Sequence, residues 1–175
     1  MAAKVVLMDR DGTVLVEPTD FSVRLKGLHM FPETLEAMAK LAEVGYSVIF
    51  VTNQLSIAKG NLSLKEYEAT NNKMIELLEP TGIKVLKVYT CPHGQDDNCV
   101  CRKPKPGMLL QAIKEFNLNP GETFMIGDRV TDIEAGMAAG AKTILVPQGN
   151  FKETSAKAKH IAGNLLEAAE YIIAN

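Results

Sequence analysis

Val5-Val6-Leu7-Met8-Asp9-Arg10-Asp11-Gly12-Thr13 begins as an unbroken apolar run and stops abruptly at charge. Four apolar residues without alternation suit a strand buried on both faces, as in a parallel sheet. The pattern recurs four times. Tyr46-Ser47-Val48-Ile49-Phe50-Val51 runs into Thr52-Asn53-Gln54, and Val85 to Tyr89 forms a third run. Thr123-Phe124-Met125-Ile126 runs into Gly127-Asp128, and Thr143-Ile144-Leu145-Val146 is the fifth.

Helical spacing fills the gaps. Pro32 opens a segment with Leu35, Met38, Ala39 and Ala42 on one face, closed by Gly45. Ser63 and Glu66 read as a capping box, and Pro80 ends that segment. Leu109, Ala112, Ile113 and Phe116 repeat at helical intervals, and Ile133, Gly136, Met137 and Gly140 form a stripe with small residues for close packing. Leu165 to Ile173 reads as a closing helix, and the mildly basic stretch from Lys152 to His160 as a solvated loop. Alternating strands and helices predict an α/β fold: a doubly wound, Rossmann-like parallel sheet with helices on both faces, in one domain spanning 1–175.

In such sheets chemistry collects beyond the carboxyl ends of the strands. Three of the predicted ends carry polar clusters: Asp9 to Thr13, Thr52 to Gln54, and Gly127-Asp128-Arg129 with Asp132. Crowded carboxylates repel unless a cation sits among them, and Asp9 with Asp128 makes a hard oxygen site suited to magnesium. A carboxylate such as Asp9 can attack phosphorus to give an aspartyl-phosphate. Asp11, two residues on, can protonate a leaving alkoxide and later activate water. Thr52, the Asn53 backbone and Lys103 are candidate donors to the charged transition state. A calcium loop is excluded because Pro18 stands where its Glu would be.

A second cluster lies within eleven residues: Cys91, His93, Cys99 and Cys101. Four soft or borderline ligands match the tetrahedral demand of zinc and leave no open position, so the loop 91–101 reads as a structural zinc loop. It leads directly into Arg102 and Lys103, which it would hold over a substrate. His29 and His160 read as surface or packing residues, and the methionines as core filling.

Composition narrows the partners. Lys plus Arg number 19 and Asp plus Glu 21, for a net charge of −2, which argues against a nucleic-acid binder. No apolar run reaches membrane-spanning length and the first residues lack a signal-peptide pattern, so a cytoplasmic monomer acting on a small molecule is expected, with no membrane partner. A phosphorylation-switched receiver domain also uses clustered Asp, Thr and Lys. It would place its phosphoacceptor on a different strand from the acidic pair, and it has no use for a zinc loop. A zinc-stabilised interaction module would not need Asp11.

Asp9-Arg10-Asp11-Gly12-Thr13, Thr52-Asn53-Gln54, Arg102-Lys103-Pro104 and Gly127-Asp128-Arg129-Val130-Thr131-Asp132 resemble, in order, the four motifs of the haloacid dehalogenase superfamily of phosphatases. The resemblance implies Asp9 as nucleophile and Asp11 as general acid/base. It implies magnesium ligation by Asp9, the Asp11 backbone carbonyl and Asp128. Thr52 and Lys103 would hold the phosphate, Arg102 would face the substrate, Asp132 would support the site, and no separate cap domain is expected. The zinc loop resembles that of histidinol-phosphate and heptose-bisphosphate phosphatases. Glu17-Pro18-Thr19-Asp20-Phe21-Ser22-Val23 looks more like the histidinol-phosphate substrate loop, with Glu17 placed to hold an amino or imidazolium group, whereas Ile57-Ala58-Lys59-Gly60 and Lys105-Pro106-Gly107-Met108 look more like the heptose group. Histidinol phosphate is therefore the expected substrate and a heptose 1,7-bisphosphate the alternative.

Overall fold

The computed structural model describes residues 4–17, 27–150, 154 and 157–175. Among the described residues the strands are β1 Val5–Met8, β2 Ser47–Asn53, β3 Lys84–Cys91, β4 Phe124–Gly127, β5 Lys142–Leu145 and β6 His160–Ile161. The helices are α1 Thr34–Glu43, α2 Leu55–Ala58, α3 Leu64–Leu78, α4 Gly107–Glu115, α5 Val130–Ala138 and α6 Leu165–Ala174. The strands form one parallel sheet in the order β3-β2-β1-β4-β5-β6. The chain winds outward from β1 to β3, crosses back to β4 beside β1, and winds outward again. The crevice at this reversal, between the ends of β1 and β4, is where a doubly wound sheet binds its ligands.

Strand alternation divides the core into two layers. Val6, Met8, Phe50 and Ile126 pack with Met38 and Leu41 of α1, Met74 and Leu78 of α3, and Leu165 and Ile172 of α6. Val5, Leu7, Val51 and Met125 pack with Met108, Leu109 and Ala112 of α4 and Ala135 of α5. The expected helices on both faces are present. Phe50 is fully buried, and truncating it to Ala would destabilise the fold by about 3–5 kcal/mol.

Local signals behave as their chemistry dictates. Glu66 N–H donates to the Ser63 hydroxyl while Ser63 N–H donates to the Glu66 carboxylate, the reciprocal box that starts α3. Some expectations need correction. In α1, Leu35 is exposed, and the buried face is Thr34, Ala37, Met38 and Leu41. Met137 of α5 faces solvent, whereas Ile133 and Gly136 are buried. β3 is an edge strand rather than one covered on both faces, so Lys84 and Leu86 are exposed. His160, expected in a solvated loop, pairs with Ile144 in β6, and its ring stacks on Tyr171 at 3.9 Å. Two residues gave too little periodicity to announce a strand. No helix among the described residues is long and apolar enough to cross a membrane.

Candidate active site

β1 delivers Asp9 to the crevice, its N–H donating to Ile126 O at 2.8 Å. The chain then turns sharply: Val14 and Leu15 N–H both donate to Arg10 O, and Gly12 N–H donates to Leu15 O. Gly12 adopts φ +87°, and a Cβ there would collide with the Asp128 carboxylate. Only glycine permits both the turn and this close approach. The end of β4 is equally tight, since a Cβ on Gly127 would strike Asp132. Asp132 in turn accepts from Arg129 N–H at 3.1 Å as α5 begins.

The expected nucleophile lies in an ion-pair network. Lys103 Nζ reaches Asp9 Oδ1 at 2.6 Å, Asp132 Oδ1 at 2.5 Å and Val51 O at 2.7 Å, almost wholly buried. Burial alone would pull the ammonium toward neutrality, but Asp132 and Asp9 push its pKa upward and win, so it stays charged. Asp11 Oδ2 accepts from Arg10 Nη2 at 2.9 Å and from Gln54 Nε2 at 2.6 Å. The same Gln54 nitrogen donates to Thr52 Oγ1 at 2.9 Å.

Asp9, Asp128 and Asp132 each offer an oxygen within 4.8 Å of the others. Both Asp128 carboxylate oxygens are buried without a hydrogen-bond partner among the described residues. Burial, with Asp9 and Asp132 nearby, raises Asp128 to about 8. Burial also raises Asp9, to about 7, against the opposing pull of Lys103. Orphaned, mutually repelling carboxylates are a donor set that fits a hard divalent cation, which would restore both to full ionisation. Asp132 is engaged by Lys103 and Arg129, which suits a supporting role beside Asp9 and Asp128.

At the end of β3, Cys91, His93, Cys99 and Cys101 converge. Cys91 Sγ lies 3.1 Å from Cys101 Sγ and 3.7 Å from Cys99 Sγ, and His93 Nδ1 lies 3.5 Å from Cys91 Sγ and 3.3 Å from Cys101 Sγ. A tetrahedron of thiolates around zinc has edges of about 3.8 Å. The four ligands therefore fit this ion, and none forms a disulfide.

The loop is tied to the cleft residues by hydrogen bonds. Arg102 Nη1 donates to His93 O at 3.0 Å, and Lys105 Nζ donates to Cys99 O at 2.7 Å. The Asn53 side chain pairs with the Lys103 backbone, donating to its O at 3.0 Å and accepting from its N–H at 3.1 Å. A separation of fifty residues left no sequence signal for that contact, and the expectation had involved only the Asn53 backbone.

Asp9, Asp11, Thr52, Asn53, Arg102, Lys103 and Asp132 line a single cleft of about 290 Å³ together with Glu17, Gln54, Lys59 and Arg129. Asp128 does not line it but offers an oxygen within 4.8 Å of those of Asp9 and Asp132. Glu17 is thus brought to the cleft, its backbone O accepting from Asn150 Nδ2 at 3.2 Å. The remainder of the segment compared with the histidinol-phosphate loop, 18–23, lies outside the described residues. Gln54, Arg10 and Lys59 had no role assigned from sequence. Gln54 and Arg10 sat inside motifs whose neighbouring residues carried the obvious chemistry.

Residues 100–168 match the HAD-hydrolase-like family model. The chain is 35% identical over 157 residues to a D-glycero-beta-D-manno-heptose-1,7-bisphosphate 7-phosphatase of Pseudomonas aeruginosa, covering 90% of this chain and 88% of that one. It is 32% identical to the histidine biosynthesis bifunctional protein HisB of Campylobacter jejuni, covering 87% of this chain and 44% of that protein. The crystal structure of a D,D-heptose 1,7-bisphosphate phosphatase from B. bronchiseptica, complexed with magnesium and phosphate, superposes with a TM-score of 0.89 at 30% identity, over 98% of both chains. Sequence order, sheet topology and these relatives agree, and the chain belongs to the haloacid dehalogenase superfamily as a phosphoric monoester hydrolase, in the group of the heptose-bisphosphate and histidinol-phosphate phosphatases.

Proposed function

We propose that this phosphatase removes the 7-phosphate of a heptose 1,7-bisphosphate by way of an aspartyl-phosphate on Asp9. The observation that carries the reading is the distribution of charge in the cleft. Lys103 sits between Asp9 and Asp132, while Lys59, Arg102 and Arg129 line the same space together with Asp11 and Glu17. Cations beyond those needed at the reacting phosphate suit a substrate with a second anionic group. The relatives matched over nearly their whole length support the same substrate.

Asp9 attacks phosphorus as the ester P–O bond breaks, and Asp11 gives its proton to the departing oxygen. Asp11 then accepts a proton from the water that attacks the aspartyl-phosphate, releasing phosphate and restoring Asp9. Thr52 and Lys103 donate to the phosphoryl oxygens, and Arg102 faces the rest of the substrate. Magnesium, held by Asp9, Asp128 and the Asp11 carbonyl, would neutralise charge on the phosphoryl group. Zinc on Cys91, His93, Cys99 and Cys101 would fix the loop that carries Arg102 and Lys103. Reduced cysteines serving as ligands suit the cytoplasm.

Histidinol phosphate, the substrate expected from the sequence, is the second reading. It is favoured by Glu17 in the cleft and by the match to HisB over 44% of that protein. Comparative kinetics on both substrates tests the choice. A heptose bisphosphatase should show the higher kcat/KM on the bisphosphate, with Glu17→Gln nearly neutral. A preference for histidinol phosphate, with Glu17→Gln raising KM, would reverse the assignment.

A further inference from the structure

We propose that the turn after β5, Pro147-Gln148-Gly149-Asn150, is a wall of the cation site, and that Gly149 is a positioning residue that sets where the Asp128 carboxylate stands. The proposal rests on the reading of Asp9 and Asp128 as magnesium ligands. The turn carries no charge, from Val146 to Phe151, and belongs to none of the four motifs. Val146 N–H donates to Gly127 O at 2.8 Å, so the chain leaves β5 alongside the strand end that bears Asp128. The residues that follow reach the loop after β1. Gln148 Nε2 donates to Thr13 O at 2.7 Å, and Asn150 Nδ2 donates to Glu17 O at 3.2 Å. Between these two ties, Gly149 lies against Asp128.

A Cβ on Gly149 would overlap Asp128 Oδ2 and stand 3.1 Å from the Cα of Gly12, and a Cβ on Gly12 would overlap the same oxygen. Asp128 is therefore enclosed by two backbones without side chains, one after β1 and one after β5. The two glycines differ in what they permit. Gly12 has φ +87°, so both its turn and its surroundings require glycine. Gly149 is not in the left-handed region, so its backbone would accept a side chain and space alone is at stake. The turn is held on either side of Gly149 by Gln148 and Asn150, so a methyl group there would displace the carboxylate, the movable end of a short side chain. Magnesium tolerates such a displacement badly, because it demands near-ideal octahedral geometry at about 2.0–2.1 Å, whereas calcium accepts a flexible shell at about 2.3–2.6 Å. None of Val146 to Asn150 lines the cleft, so the turn acts through Asp128 and the loop after β1 rather than on substrate.

The test is titration of mildly chelated protein with magnesium and, separately, with calcium, read by calorimetry and by Tm, on wild type, Gly149→Ala and Gln148→Ala. Gly149→Ala should weaken magnesium binding by about 10–100-fold and calcium binding by about threefold or less. The preference for magnesium over calcium should thus fall, which a loss of general stability would not produce. With 4-nitrophenyl phosphate, the magnesium concentration for half-maximal turnover should rise in step, while KM for the ester at saturating magnesium changes by less than about twofold. Gln148→Ala removes the tie to Thr13 and keeps the Gly149 backbone, so it should shift the magnesium constant in the same direction by about threefold. In Gly149→Ala, a magnesium constant within about twofold of wild type, or an equal loss for both cations, would overturn the proposal. If Gly149→Ala does not fold, Gln148→Ala decides alone, and an unchanged magnesium constant there would overturn it. Wild-type protein that gives no heat and no Tm shift with magnesium would overturn the cation assignment itself, and the proposal with it.

Discussion

Two clusters of potential metal ligands sit at the carboxyl ends of the strands, and they are built in opposite ways. Cys91, His93, Cys99 and Cys101 come from one loop of eleven residues, closed upon itself. Asp9 follows β1, and Asp128 and Asp132 follow β4 more than a hundred residues later, with Asp9 and Asp132 lining an open cleft. The thiol cluster would spend all four ligands on one ion, which suits a structural role. The carboxylate cluster leaves Asp128 without a hydrogen-bond partner among the described residues and commits Asp9 to a lysine, which suits reaction. A local site stabilises a segment, whereas a site assembled by topology can be both strained in charge and accessible. Arg102 and the Asn53–Lys103 pairing connect them.

The largest expected effect is at the open cluster. Asp9→Asn should lower kcat by about 10⁴-fold or more, because an amide cannot attack phosphorus and weakens the cation site. Asp11→Asn should lower it by about 10²–10⁴-fold while leaving thermal unfolding nearly unchanged. Substantial turnover by purified Asp9→Asn would remove the nucleophile assignment.

Metal removal should separate the clusters. Mild chelation should stop turnover, and magnesium alone should restore it, while elemental analysis still finds about one zinc per chain. If zinc rather than magnesium restored activity to the chelated protein, the two roles would have to be exchanged.

Cys99→Ser should act through the loop. We expect zinc loss, a Tm lower by about 5–10 °C, corresponding to a few kcal/mol in a chain of this length, and a kcat loss of only about tenfold as Arg102 and Lys103 loosen. Calorimetry and metal content check the first two. A zinc-free variant as stable as wild type would deny the loop its structural purpose.

The smallest effect is a pH linkage. In magnesium-free protein Asp9 is raised to about 7 and Asp128 to about 8, from an ordinary value of 3.8. The folded state then holds protons that the unfolded chain releases earlier. This contribution to stability is complete below about pH 4 and is lost as pH rises through 7 to 8. The Tm of chelated protein should fall across that window, and saturating magnesium should flatten the fall by binding the ionised carboxylates. An equal slope with and without magnesium would place the cation elsewhere.

Sequence alone determined what is local or ordered along the chain. Short apolar runs announced five of the strands. The Ser63–Glu66 box, the four thiol and imidazole ligands, and the motif order from Asp9 to Asp132 were all readable, because each depends on residues a few positions apart or on their succession. Tertiary structure decided the rest. It made β3 an edge strand, paired His160 into β6, turned Leu35 and Met137 to solvent, and joined Asn53 to the Lys103 backbone. It also placed two donors on one oxygen of Asp11 and buried Arg10 against Asn71 and Tyr67. The physical reason is the same throughout. Backbone propensity and ligand chemistry act over a turn or a loop, but burial and hydrogen-bond direction are set by whichever elements the sheet order brings together, and that order is a property of the whole chain.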